Sequence, residues 1–275
     1  MLRHPTAHRS VTRRPVLAAL LASVTAMGMG MASAQAETVK VGIMAGEDED
    51  VWKVVATEAA KGGLTVEPVI FADYTQPNEA LDRGEIQANA FQHKPYLDAQ
   101  VQQRGYKVVP AGYTALFPIG LYSKSVESVA ELPEGAAIGI PNDPSNGGRA
   151  LNLLQDLGII KLREGAGILA TAIDVEENPR NVEIRELDAG IVGRSIADLA
   201  AGVVNTDWAF KSGLDPAKER IGQETLTDNP YRNFIAVRTD DETKPWVKTL
   251  VSAYQSEPVK AALQTAYKGA ALPAW

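Results

Sequence analysis

Phe91 and His93 stand two residues apart in Asn-Ala-Phe-Gln-His-Lys-Pro-Tyr-Leu-Asp, residues 89–98, at the end of an apolar run that begins at Ile86. If that run is a strand, both side chains leave the same face. Pro95 follows at a point where its fixed φ suits the first turn of a helix. A ring and an imidazole at the carboxyl end of a strand would form a pocket wall, because open α/β sheets bind small ligands there. The alternative is a pair of core residues, the commoner fate of Phe and His at this spacing. A count favours the pocket: of three histidines, His4 and His8 lie in an expected leader, which leaves His93 in the mature chain.

A second stretch, Asn-Asp-Pro-Ser-Asn-Gly-Gly-Arg at residues 142–149, runs from a strand into a helix. Ser145 is the expected N-cap. Free backbone N–H groups and the helix dipole favour an anion there, and Gly147 and Gly148 would let a ligand approach the backbone. Arg149, read as a first-turn residue, sits unfavourably in the dipole and calls for a negative partner. That partner is either a ligand carboxylate held as a bidentate pair or a nearby Asp or Glu. Asn205 ends one apolar strand and Asn233 begins another. Each could donate to a carboxylate and accept from an ammonium, or serve as a turn residue bonded to its own backbone.

Catalysis finds little support. The sequence has no Gly-x-Ser-x-Gly, no Gly-Lys dipeptide and no His-Glu-x-x-His, so no nucleophile elbow, P-loop or zincin motif. One mature histidine and no cysteine leave little scope for zinc, and no cofactor or metal is expected.

The elements that would position these residues begin after residue 36. Arg3, Arg9, Arg13 and Arg14, the apolar stretch Val16 to Met31, and Ala34-Gln35-Ala36 read as a signal peptide cleaved near Ala36, with Sec or twin-arginine export both open. Losing four arginines takes Lys+Arg from 27 to 23 against 34 Asp+Glu, a net charge of −11. So acidic a chain argues against nucleic acid or an anionic membrane as partner. The absence of cysteine predicts a freely diffusing periplasmic protein that is not a lipoprotein.

Apolar periodicities predict strands from Thr38, Leu64, Ile86 and Tyr106, separated by helices after Gly46, Pro77 and Pro95, hence a largely parallel sheet. The second half repeats this pattern, and two helices, Pro245 to Tyr254 and Pro258 to Tyr267, close the chain. Crossings near Pro118 and Asn229 predict two lobes, 37–117 with 230–275 and 118–229, joined by a two-stranded hinge.

Phe-Gln-His-Lys-Pro-Tyr-Leu, Pro-Asn-Asp-Pro-Ser-Asn-Gly-Gly-Arg, Pro-Asn-Glu-Ala-Leu and Asp-Val-Glu-Glu-Asn-Pro resemble the MetQ/NlpA family of methionine-binding proteins over essentially the whole mature length. The resemblance implies a type II periplasmic-binding-protein fold, α/β, with two lobes closing on L-methionine or a close analogue. It implies delivery to the membrane permease and ATPase of an ABC importer, by a monomer that is not an enzyme. Carried over by motif, Tyr74, Phe91 and His93 would line the side-chain pocket, Arg149 would take the carboxylate, and Asn205 and Asn233 would fix carboxylate and ammonium. Asp188 to Ser195 lacks the proline-containing form usual in the family, which bears on the rim of the second lobe. Other cargoes in view are a methionine derivative, D-methionine, a methionine-containing peptide or another apolar amino acid. An exported enzyme or a surface protein on this fold are the remaining alternatives.

Overall fold

A computed structural model describes residues 37–216 and 218–275; the expected leader and its cleavage site lie outside them. The chain opens with β1 (Glu37–Met44), whose Val39, Val41 and Ile43 are buried. It continues into α1 (Glu47–Lys61), which buries Val51, Trp52, Val55 and Ala59 along one face. Four acids in the first turn of α1 complement its dipole. Next come β2 (Leu64–Phe71), α2 (Pro77–Asp82), β3 (Ala88–His93), α3 (Lys94–Arg104) and β4 (Val108–Leu116).

The second half holds β5 (Gly120–Tyr122), β6 (Ala137–Pro141), α4 (Pro144–Asp156), β7 (Lys161–Leu162), β8 (Val175–Glu177) and β9 (Glu183–Leu187). It continues with α5 (Ala189–Val192), β10 (Ala201–Val204), α6 (Thr206–Lys211) and β11 (Arg220–Gln223). The chain then returns through β12 (Arg232–Arg238), α7 (Pro245–Tyr254), α8 (Glu257–Ala266) and β13 (Leu272–Pro273).

Two sheets result, ordered β13-β4-β12-β3-β1-β2 and β11-β5-β10-β6-β9. The chain passes between them at residues 117–119 and 224–231, and these connections bond to each other through Glu224 N to Ile119 O at 3.3 Å. As the sequence predicts, most strands run one way, β1, β2, β3 and β4 in the first sheet and β6, β9, β10 and β11 in the second, while β12 and β13 in the first and β5 in the second run against them. β12 pairs antiparallel with both β3 and β4, and β5 pairs antiparallel with β10 and β11. The reason is the double crossing itself: a strand that enters a sheet from the neighbouring one runs against those the βαβ units built.

Each sheet carries its own core. The first centres on Trp52, Val55, Leu250, Tyr254 and Leu263, the second on Ile138, Ile140, Leu151, Leu154 and Val203. A third apolar cluster draws Met44, Phe91 and Tyr96 from the first sheet's elements and Tyr122, Val192 and Trp208 from the second's. It stands where the two halves meet.

Candidate functional site

The local geometry around β3 follows from its sequence. His93 ends the strand and caps α3, its Nδ1 accepting from Tyr96 N at 3.2 Å. With Nδ1 an acceptor, Nε2 carries the proton and donates to Asn146 Oδ1 at 3.2 Å. Burial, followed by the Arg149 guanidinium, holds the imidazole down to about 3, so His93 is neutral at any physiological pH. Behind it lies a buried amide network. Asn78 Nδ2 donates to Gln92 Oε1 at 2.8 Å, and Asn78 Oδ1 accepts from Asn89 Nδ2 at 2.9 Å and from Gln92 Nε2 at 2.6 Å. These bonds fix α2 against β3 and account for the asparagine of Pro-Asn-Glu-Ala-Leu.

The turn from β6 into α4 departs from the expectation in three respects. The helix starts at Pro144 and Asp143 is its N-cap, accepting from Asn146 N at 2.9 Å, while Ser145 Oγ donates to Asp143 at 3.0 Å. Aspartate competes well with serine for a cap because its charge favours the helix N-terminus. Arg149 therefore lies in the second turn. The two glycines serve packing rather than a ligand: a Cβ on Gly147 would meet Pro141 O at 2.9 Å, and one on Gly148 would meet Ile168 O at 2.4 Å.

Between the two sheets lies a cavity of about 480 Å³, a figure that includes open solvent at its mouth. Tyr74, Phe91, His93, Arg149, Asn205 and Asn233 all reach its lining. At one end the walls are aromatic: Tyr74 lies 5.9 Å from Phe91, 6.1 Å from Tyr96 and 5.7 Å from Trp208, measured between ring centroids. Tyr74 Oη donates to Asp207 Oδ1 at 2.5 Å, joining the two halves across the cavity. Gly190 of α5 sits against the Trp208 ring, so the segment lacking the proline supports that aromatic wall from behind.

The other end is polar. Asn146 Oδ1 accepts from both His93 Nε2 and Asn205 Nδ2, the latter at 2.9 Å, and Asn146 Nδ2 donates to Asp143 Oδ2 at 2.9 Å. Asn205 precedes α6, yet its side chain makes no cap bond, and its buried Oδ1 accepts no hydrogen bond among the described residues. Asn233 stands inside β12 in register with His93, not in a turn.

For Arg149 the intramolecular alternative is realised. Nε donates to Glu224 Oε2 at 2.8 Å, Nη2 bonds Glu224 Oε1, and Nη2 also donates to Phe117 O at 2.9 Å. The guanidinium lies 4.2 Å over the Tyr231 ring. Glu224 also accepts from Ile119 N at 3.1 Å, so this pair ties both connections between the sheets to α4.

Sequence reasoning missed Asp48, Asn146, Asp207 and Tyr267, all of which line the cavity. Asn146 sits inside the glycine-rich stretch and was within reach of a closer reading. Asp48 was hidden among the first-turn acids of α1, and Asp207 and Tyr267 carry no local signal.

A family model described as NlpA lipoprotein matches residues 39–275. A Salmonella typhimurium protein called D-methionine-binding lipoprotein MetQ is 45% identical over 260 residues, spanning 94% of this chain and 96% of its own. A solved nutrient-binding protein from Burkholderia cenocepacia, bound to methionine, is 51% identical with a TM-score of 0.84, covering 86% of this chain and all of its own. An ABC transporter periplasmic substrate-binding protein from Coxiella burnetii is 42% identical with a TM-score of 0.83, over 86% and 100% of the two chains. These names overturn the expectation that the chain is not a lipoprotein. That expectation rested on the absence of one residue type, whereas the lipoprotein match runs the length of the fold. Export to the periplasm is in keeping with them.

Proposed function

Because the chain belongs to the NlpA lipoprotein family, we propose that it captures methionine, in its L form, between two lobes and hands it to the permease and ATPase of an ABC importer. The observation that carries this reading is the division of one cavity into an aromatic end and a charged, amide-lined end. A zwitterionic amino acid with an apolar side chain has the same two ends. Tyr74 and Phe91 would flank the thioether, each sulfur–aromatic contact contributing roughly 0.3–1.5 kcal/mol. Arg149 Nη1, which makes no hydrogen bond among the described residues, would take the carboxylate. His93 would pack beside the side chain, Asn205 Oδ1 would accept from the ammonium, and Asn233 would complete the polar wall.

The lobes proposed to move are 37–117 with 230–275 and 118–229, acting as a monomer. Closure requires the ligand to prefer the closed state, and walls drawn from both sheets supply that preference. The role is binding and delivery, with no chemical step. A second reading, D-methionine, is favoured by the relatives' names. Displacement of labelled L-methionine by D-methionine, alanine, leucine and a methionyl dipeptide tests the proposal. L-methionine should compete best, and stronger competition by any other ligand would reassign the cargo.

A further inference from the structure

Asp48 is a carboxylate that this reading leaves unused. It is the second residue of α1, only 7% exposed, and it lines the cavity. Among the described residues its carboxylate accepts one hydrogen bond, from Tyr267 Oη at 2.9 Å. The Tyr267 ring packs against Phe117 with centroids 5.0 Å apart, and the Phe117 carbonyl accepts from Arg149. Asp48 and Arg149 are thus linked through two packed residues at the border of one cavity.

An α-amino acid carries both charges on one carbon, so a site that holds its carboxylate must answer its ammonium close by. Asn205 Oδ1 can accept one N–H but brings no charge, and an ammonium buried among neutral groups is costly. Glu224 is already engaged by Arg149, and Asp207 by Tyr74 and Lys211. We propose that Asp48, oriented by Tyr267, is the counter-ion of the ligand's ammonium group, so that the site selects α-amino acids over their desamino analogues. This inference rests on the reading of the cavity as an amino-acid site.

Burial pushes the Asp48 carboxyl up to about 7. The Tyr267 hydroxyl at the end of α8 and the Lys211 ammonium of α6 favour its charged form; Asp207 of α6 and Glu47 beside it oppose that form. Tyr254 of α7 also faces it, its hydroxyl held protonated by burial. An ammonium arriving beside a carboxyl that burial keeps partly protonated displaces the proton to solvent. Affinity should therefore climb as pH rises toward 7 and level off above it, while His93 stays neutral throughout.

Calorimetry at pH 7 in two buffers of different ionisation enthalpy counts that proton, with L-methionine and its desamino analogue γ-methylthiobutyrate as ligands. Wild type should release a fraction of a proton per methionine bound, since burial raises this carboxyl into the neutral range, and release none with the analogue. Asp48→Asn should release none and bind methionine roughly 30-fold or more weakly, while the analogue changes by less than about threefold. Tyr267→Phe removes the bond that favours the charged carboxyl, so the fall in methionine affinity should begin at a higher pH. Equal losses of both ligands in Asp48→Asn, or an unchanged methionine affinity there, overturn this inference and leave the functional reading standing. A folded wild type that binds no methionine overturns both.

Discussion

Phe91 and His93 share one strand end and do different work. Phe91 belongs to the aromatic wall and offers only apolar surface. Phe91→Ala should therefore weaken methionine by roughly 3–5 kcal/mol at most, the scale of a large-to-small change in a packed site, and leave alanine nearly untouched. Equal losses for the two ligands would contradict a side-chain pocket. His93 is held near 3, below its ordinary 6.5, by burial and then by Arg149. Its folded value is depressed, so between about pH 6.5 and 3 the unfolded chain binds the extra proton, and stability falls with pH across that window. His93→Gln, which keeps a donor toward Asn146, should flatten the acid limb of a thermal-midpoint profile. An unchanged acid limb would show that other groups set it.

At the scale of elements, the amide network joins α2 to β3. Asn78, Asn89 and Gln92 are all buried, and each bonds another of the three. Asn78→Ala orphans Gln92 Oε1 and weakens the hold on Asn89, at roughly 1–3 kcal/mol per buried polar group left unpaired. The midpoint should fall by several degrees, at roughly 2–4 °C per kcal/mol for a chain of this size; a change below one degree would mean that the network is dispensable. Much of this layer was legible in the sequence. The acids before Val51, the prolines opening α2, α3 and α7, and the β-branched run of β1 all became the elements they announced. The common direction of β1 to β4 was legible, but the reversal of β12 was not, because its antiparallel entry is decided by where the chain returns and not by its own residues. Short β11 and β13 were missed because four and two residues carry too little pattern to stand out.

For the whole molecule, the two connections between the halves are held to α4 by the buried pair Arg149–Glu224, with side chains 3% and 8% exposed. Removing one partner of such a pair strands a charge in the interior, a cost of roughly 3–5 kcal/mol, whereas replacing both by apolar groups of similar size is often close to neutral. Glu224→Ala should therefore unfold markedly earlier in urea than Arg149→Met/Glu224→Leu. A double variant as unstable as the single one would show that the ion pair itself supports the fold. The sequence offered Arg149 two partners, a ligand or an acid. It could not point to Glu224, which lies 75 residues away and meets Arg149 only because both connections between the sheets converge there. The six nominated residues did reach one cavity: Tyr74 and Asn205 stand in or beside turns, Phe91, His93 and Asn233 on strands β3 and β12, and Arg149 in the second turn of α4. The buried acid and the distant tyrosine at its border had no such local mark.

The most direct measurement is calorimetric titration of L-methionine into protein stripped of co-purifying ligand by unfolding and refolding. Tight binding of one methionine per chain is the expected result. No heat from a sample whose circular dichroism shows it folded would contradict the account.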